Sequence, residues 1–242
     1  MRSDRPHFRP LIQPQSSGAS NGTGFEVTLR WVYRAAGHEP ALHPFELSLI
    51  IHRSSYDRAS NELAFAPWVP AHYAEFILRG PLAEIRLLAA RLRALGTQCG
   101  FTPLQEVENI VSMVRSLRYW SDPGHPHAVD QPKYPVQTLV DGGGDCEDFA
   151  ILAAALLWTL GHPVALIYLE TEFTAHMALG CHVAGLDCSC TVAGPDGREY
   201  AYIETVPTDV PLGVIPDEFL EGLLQAVAIP LELSSEEQGD EP

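Results

Sequence analysis

The residues best placed to do chemistry are in the run Gly142-Gly143-Gly144-Asp145-Cys146-Glu147-Asp148-Phe149-Ala150, where a glycine turn delivers one cysteine to an apolar segment. Asp145 is an N-cap residue type, and Phe149, Ile151, Leu152, Ala155, Leu156 and Leu157 repeat at helical spacing until Gly161-His162-Pro163 ends the run. Cys146 is therefore expected in the first turn of a helix. Unpaired amides and the positive end of the helix dipole favour a thiolate there, and the thiolate is the nucleophilic form. Glycines ahead of it would let a substrate backbone come close.

The neighbouring charges oppose this. Asp141, Asp145, Glu147 and Asp148 surround the thiol with negative charge and raise its pKa, so a partner is needed. A histidine in contact would serve, taking the proton and leaving an imidazolium beside the sulfur. A lone cysteine at a helix start is otherwise small core filling.

The rest of the chain has to position such a pair. Its 242 residues, 46% hydrophobic and 19% charged, suit one well-buried globular domain. With 31 acidic against 15 basic residues the net charge is -16, which disfavours nucleic acid and anionic membranes as partners. No apolar stretch follows Arg2, Arg5 and Arg9, so no secretory signal is read and a cytoplasmic location is expected. Five cysteines, Cys99, Cys146, Cys181, Cys188 and Cys190, then read as reduced thiols.

Residues 1–24 form a low-complexity tail and 231–242 an acidic one, bracketing a domain over 25–230. Phe25 to Tyr33 alternates apolar and polar side chains, and with Phe45 to Ile51 it reads as a hairpin. Leu82 to Leu95 and Pro103 to Tyr119 have the spacing of amphipathic helices. Tyr119 to Tyr134 reads as a long loop, and the apolar run Phe149 to Leu169 as a helix plus a strand rather than a membrane span. Val164 to Leu169, His176 to Ala184 and Glu199 to Val206 are strands, the last two joined by a long glycine-containing tip. Asp217 to Val227 reads as a closing helix.

This order of elements resembles the transglutaminase-like superfamily, whose papain-type fold opens a helix with a cysteine and places its histidine on a following sheet. Tyr134-Pro135-Val136-Gln137-Thr138-Leu139-Val140, the Gly143-Gly144-Asp145-Cys146-Glu147-Asp148 motif, the Leu156-Leu157-Trp158-Thr159-Leu160-Gly161 helix end and His176-Met177-Ala178-Leu179-Gly180 are similar to its bacterial and archaeal branch. So is Tyr202-Ile203-Glu204-Thr205 with Leu212-Gly213-Val214-Ile215-Pro216. The resemblance covers residues 103–219, the expected catalytic core, with the hairpin and helix of 25–102 added more loosely. It implies an α+β fold in which a helical half carrying the nucleophile packs on an antiparallel β-sheet.

It further implies Cys146 as nucleophile, His176 as general base and then acid, and Glu204, where many relatives have Asp, as the carboxylate orienting the imidazole. His182 lies six residues from His176, on the same strand face and about 20 Å away, so only one can meet Cys146; the His-Met-Ala pattern favours His176. Tyr200, Tyr202 and Glu204 share a face, and antiparallel pairing would return the end of their strand towards His176. The implied chemistry is acyl transfer through a thioester: hydrolysis of a peptide or side-chain amide first, amine-dependent crosslinking second. A catalytically inactive peptide-binding or scaffold module of the same fold is the class-level alternative.

The Cys146 amide is the natural oxyanion donor, with Gln137 as a second candidate and Tyr134 and Asp145 as substrate-side candidates. His125, His127 and Trp120 sit in the long loop as possible cleft-lining groups. No cofactor is expected, although two metal readings exist. Cys181, His182, Cys188 and Cys190 are zinc-ligand types at poor spacing, and Asp141, Asp145, Glu147 and Asp148 could bind calcium but read more simply as a cap and a solvated turn. The expected partner is a protein or peptide substrate; oligomeric state is open.

Overall fold

The computed structural model describes residues 22–35, 41–61, 69–120, 131–186 and 188–231. The helices are α1 (Arg53–Asn61), α2 (Glu75–Leu78, after a 3-10 turn at Pro70–Ala74), α3 (Ala83–Gln98), α4 (Pro103–Arg115), α5 (Pro135–Asp141), α6 (Cys146–Thr159) and α7 (Asp217–Leu220). The strands are β1 (Gly24–Arg34), β2 (Leu42–His52), β3 (Arg118–Tyr119), β4 (Gly143–Gly144), β5 (Val164–Thr171), β6 (Ala175–Cys181), β7 (Thr191–Ala193), β8 (Glu199–Ile203) and β9 (Leu223–Pro230). The fold is α+β: a helical half built around α6 packs on a five-stranded antiparallel sheet in the order β7-β8-β6-β5-β9.

Helix α6 is central because it is apolar on every side, and a helix without a polar face has to be enclosed. Phe149 through Leu157 are all fully buried, with α2, α3, α4 and α5 around one side and β5 and β6 along the other. Strand alternation then splits the sheet's side chains. Leu166, Met177, Leu179 and Cys181 join the helical core, whereas Ala165, Ile167, Leu169, Ala178, Tyr200 and Tyr202 form a second apolar cluster closed by Ile215 and Ala228.

The β1-β2 hairpin forms as its alternation predicts, burying Val27, Leu29, Trp31 and Tyr33 against Leu47, Leu49 and Ile51. Trp31 Nε1 donates to Asn109 Oδ1 at 2.8 Å and Tyr33 to Glu108 at 2.5 Å, tying the hairpin to α4. α4 itself starts at a capping box: Thr102 Oγ1 accepts from Gln105 N, and Gln105 Oε1 from Thr102 N.

Three expectations need correction. Asp217 to Val227 is not one helix: Gly222, at φ 67°, ends α7, and β9 then pairs with β5 at the sheet edge. The strand starting near His176 ends at Cys181, so His182 lies beyond it. The long tip between β6 and β8 contains a strand of its own, β7, paired with β8. Residues 1–21 and 232–242, most of the two expected tails, and 121–130, with His125 and His127, lie outside the described residues.

Candidate active site

Cys146 is the first residue of α6, partly exposed, at the end of the helix that meets the sheet. The glycines before it serve the chain's own packing. Gly143 and Gly144 pair in parallel with Arg118 and Tyr119, and a Cβ on Gly143 would fall 1.9 Å from the Arg118 carbonyl oxygen. A Cβ on Gly144 would fall 2.0 Å from Asp148 Oδ2. Gly142, at φ 78°, ends α5 in the left-handed conformation that glycine adopts most readily. Asp145 occupies the N-cap position of α6 but makes no side-chain capping bond there.

The surroundings hold the Cys146 thiol in its neutral form. Burial pushes its pKa well above the ordinary 9.0, and Glu147 and Asp145 push the same way, while a hydrogen bond from the Met177 backbone amide to the sulfur pulls it down. Sγ directs its proton to Glu147 Oε2 at 3.4 Å. That amide also locates the sulfur: it lies against β6 one residue from His176.

His176 is buried, and its Nε2 donates to Glu204 Oε2 at 2.9 Å. Glu204 is fully buried and receives four donors. Oε2 also accepts from the Tyr202 hydroxyl at 2.7 Å, and Oε1 accepts from the Thr205 and Val206 amides at 2.8 and 3.1 Å. Burial alone would raise the carboxyl's pKa, but His176, Tyr202 and the amides outweigh it and hold it below the ordinary 4.5. Tyr202 is in turn pushed far up by burial and by the Glu204 charge, so it remains a donor. Phe219 from α7 stacks on the imidazole, ring centroids 4.0 Å apart. On the far side Arg115, the last residue of α4, donates Nε and Nη2 to the Glu204 carbonyl.

His182 is exposed, with Nδ1 on the Glu199 carbonyl at 3.0 Å. Gln137 caps the start of α5 and its amide is engaged: Oε1 accepts from Tyr134 N at 2.9 Å and Nε2 donates to Ser60 Oγ at 3.3 Å. Tyr134 is buried against Phe76, 4.9 Å between ring centroids. Cys181 is buried in the core and the zinc set is not gathered. Among the described residues the one group of three or more metal-ligand types within 4.8 Å of one another is Asp145, Glu147 and Asp148.

These three carboxylates are buried, so the turn is not the solvated one the sequence suggests. An all-oxygen set suits a hard cation such as calcium. One member already has a cation. Lys133 Nζ reaches Asp148 Oδ2 at 2.8 Å and its amide reaches Oδ1 at 2.7 Å, with the ammonium 5.2 Å from the Trp120 ring centre. Burial pushes Asp148 up to about 7 while Lys133 opposes it. Asp141 stands apart, hydrogen-bonded by Tyr56.

Of these groups, Lys133, Phe219 and Arg115 escape a reading of the sequence. Phe219 falls inside a segment that reads as one helix, and Arg115 is an ordinary charge on an amphipathic helix. Tyr202 carried a signal, its shared strand face with Glu204.

No family model and no curated protein matches the chain. Solved structures do. The chain is similar in part to Legionella pneumophila LapG. The calcium-bound form is 23% identical, over 59% of this chain and 80% of that one, with a TM-score of 0.38. The EGTA-treated form is 26% identical over 51% and 70%, at 0.36, and a further LapG structure is 22% identical over 60% and 82%, at 0.40. At these scores the overlap with LapG is partial.

Proposed function

We propose that the protein is a cysteine-dependent amide hydrolase, a peptidase or amidase, with Cys146 as nucleophile, His176 as general base and acid, and Glu204 as the orienting carboxylate. The observation that carries this reading is the buried Glu204 carboxylate, which accepts from four donors, among them Nε2 of His176, itself a residue of β6, the strand against which the Cys146 sulfur rests. Nε2 is engaged, which leaves Nδ1 to exchange a proton with the thiol.

Because Cys146 is held neutral, the thiol gives up its proton as it attacks. The sulfur forms a bond to the carboxamide carbon while Nδ1 takes the thiol proton. The oxyanion meets the Cys146 amide at the helix start. Nδ1 then protonates the leaving amine, the C-N bond breaks, and a thioester remains. Water, deprotonated by the imidazole, releases the acid and restores the thiol. An amine in place of water would give the crosslinking outcome. Were calcium to bind, Asp145 and Glu147 with Asp148 would hold it, and it would fix the turn that presents Cys146.

A second reading, an inactive binding module, is favoured by the thiol's proton pointing at Glu147. Alkylation by a haloacetamide, followed against pH, separates the two. Fast labelling of Cys146 at neutral pH that His176→Ala abolishes and His182→Ala leaves intact supports the hydrolase. Slow labelling in all three, with a rise only above pH 9, supports the binding module.

A further inference from the structure

We propose that Arg115 is a positioning residue of this site, acting through the main chain of Glu204; this rests on the hydrolase reading above. The chain leaves β8 at Ile203 and must turn so that the Glu204 carboxylate meets the Thr205 and Val206 amides of its own backbone. That turn sends the Glu204 carbonyl away from the carboxylate, towards α4. Arg115 meets it with two donors, Nε at 3.1 Å and Nη2 at 2.7 Å, and Nη2 also reaches the Val210 carbonyl at 3.2 Å. One planar fork therefore fixes both ends of the 204–210 segment.

A guanidinium suits this task and an ammonium does not, since only the former presents several donors in a fixed plane. The charge contributes as well. Burial pulls the guanidinium's pKa down, while Glu204, Tyr202 and Asp209 pull it up, so a cation is kept beside the carboxylate that must stay ionised. Its reach to His176 is indirect. Fixing the turn fixes the carboxylate, and the carboxylate fixes the imidazole.

The test uses the full chain with Arg115→Met, Arg115→Lys, Glu204→Gln and the Arg115→Met/Glu204→Gln double variant. Two readouts are taken: the haloacetamide rate at Cys146 near neutral pH, and the downfield imidazole N-H proton of His176, observed by NMR in a Cys146→Ser background. Arg115→Met is expected to slow labelling about tenfold and to weaken or abolish the N-H signal, with Arg115→Lys recovering part of both. The double variant is expected to be no slower than Glu204→Gln alone, because both changes act through one group.

Wild-type labelling and an unchanged N-H signal in Arg115→Met would overturn the proposal, as would multiplying effects in the double variant. If Arg115→Met does not fold, Arg115→Lys decides: wild-type values in both readouts overturn the proposal. If His176→Ala labels like the wild type, the hydrolase reading fails, and the N-H signal still reports whether Arg115 positions the His176-Glu204 pair.

Discussion

Phe219 lies flat on His176, with ring centroids 4.0 Å apart and planes 12° from parallel. The short helix that carries it is held by Pro216 and Gly222, and the Gly222 carbonyl accepts from the Glu172 amide beside the β5-β6 turn. The ring therefore covers the imidazole from a fixed position. It covers one face of the imidazole in the buried His176-Glu204 pair, where a lower local dielectric strengthens the hydrogen bond to the carboxylate.

Phe219→Ala is expected to slow Cys146 labelling about three- to tenfold, the equivalent of about 0.6 to 1.4 kcal/mol, with only a small drop in melting temperature. Labelling at the wild-type rate would show that the stack has no part in reactivity.

Glu147 is expected to hold the thiol back. Its carboxylate raises the Cys146 pKa and accepts the thiol proton, so Glu147→Gln removes an anion and lowers that pKa. In a His176→Ala background, where no base assists, the labelling profile of Glu147→Gln should lie at lower pH than that of the parent. A profile at the same or higher pH would contradict the electrostatic account.

Acid stability should follow Glu204 and Glu106. Both have folded-state pKa values below the ordinary 4.5, Glu204 despite its burial through His176 and Tyr202, and Glu106 through Arg93 and His162. Their contribution is present above pH 4.5 and is lost as pH falls through the lowered folded values. Melting temperature should drop across that range, and less steeply in Glu204→Gln, whose side chain does not titrate. Parallel melting curves for the two proteins would refute this.

Lys133 and calcium should compete for Asp148. Lys133→Met removes the ammonium from a buried carboxylate group. In chelator the variant should melt lower than the parent, and added calcium should restore it. Calorimetry should show calcium binding to the variant at least about tenfold tighter than to the parent, about 1.4 kcal/mol. Absence of calcium binding in both would mean that the cluster's only cation is the lysine.

Local patterning in the chain sets several elements: the alternating β1-β2 hairpin, the amphipathic α3 and α4, and the all-apolar α6 with Cys146 at its start. It also placed His176 near a strand start and Glu204 on a face with Tyr200 and Tyr202. The remaining features depend on contacts between distant segments. The meaning of the glycine turn changed because Arg118 and Asp148 press against it, and no local signal announces a neighbour that close. β9 read as helix because Leu223 to Val227 suits either state, and the free edge of β5 settles it. Arg115 and Glu204 are 89 residues apart, and Lys133 and Asp148 are 15 apart. Such pairs leave no periodicity, because a hydrogen bond between elements needs the right residue at each end and nothing in between.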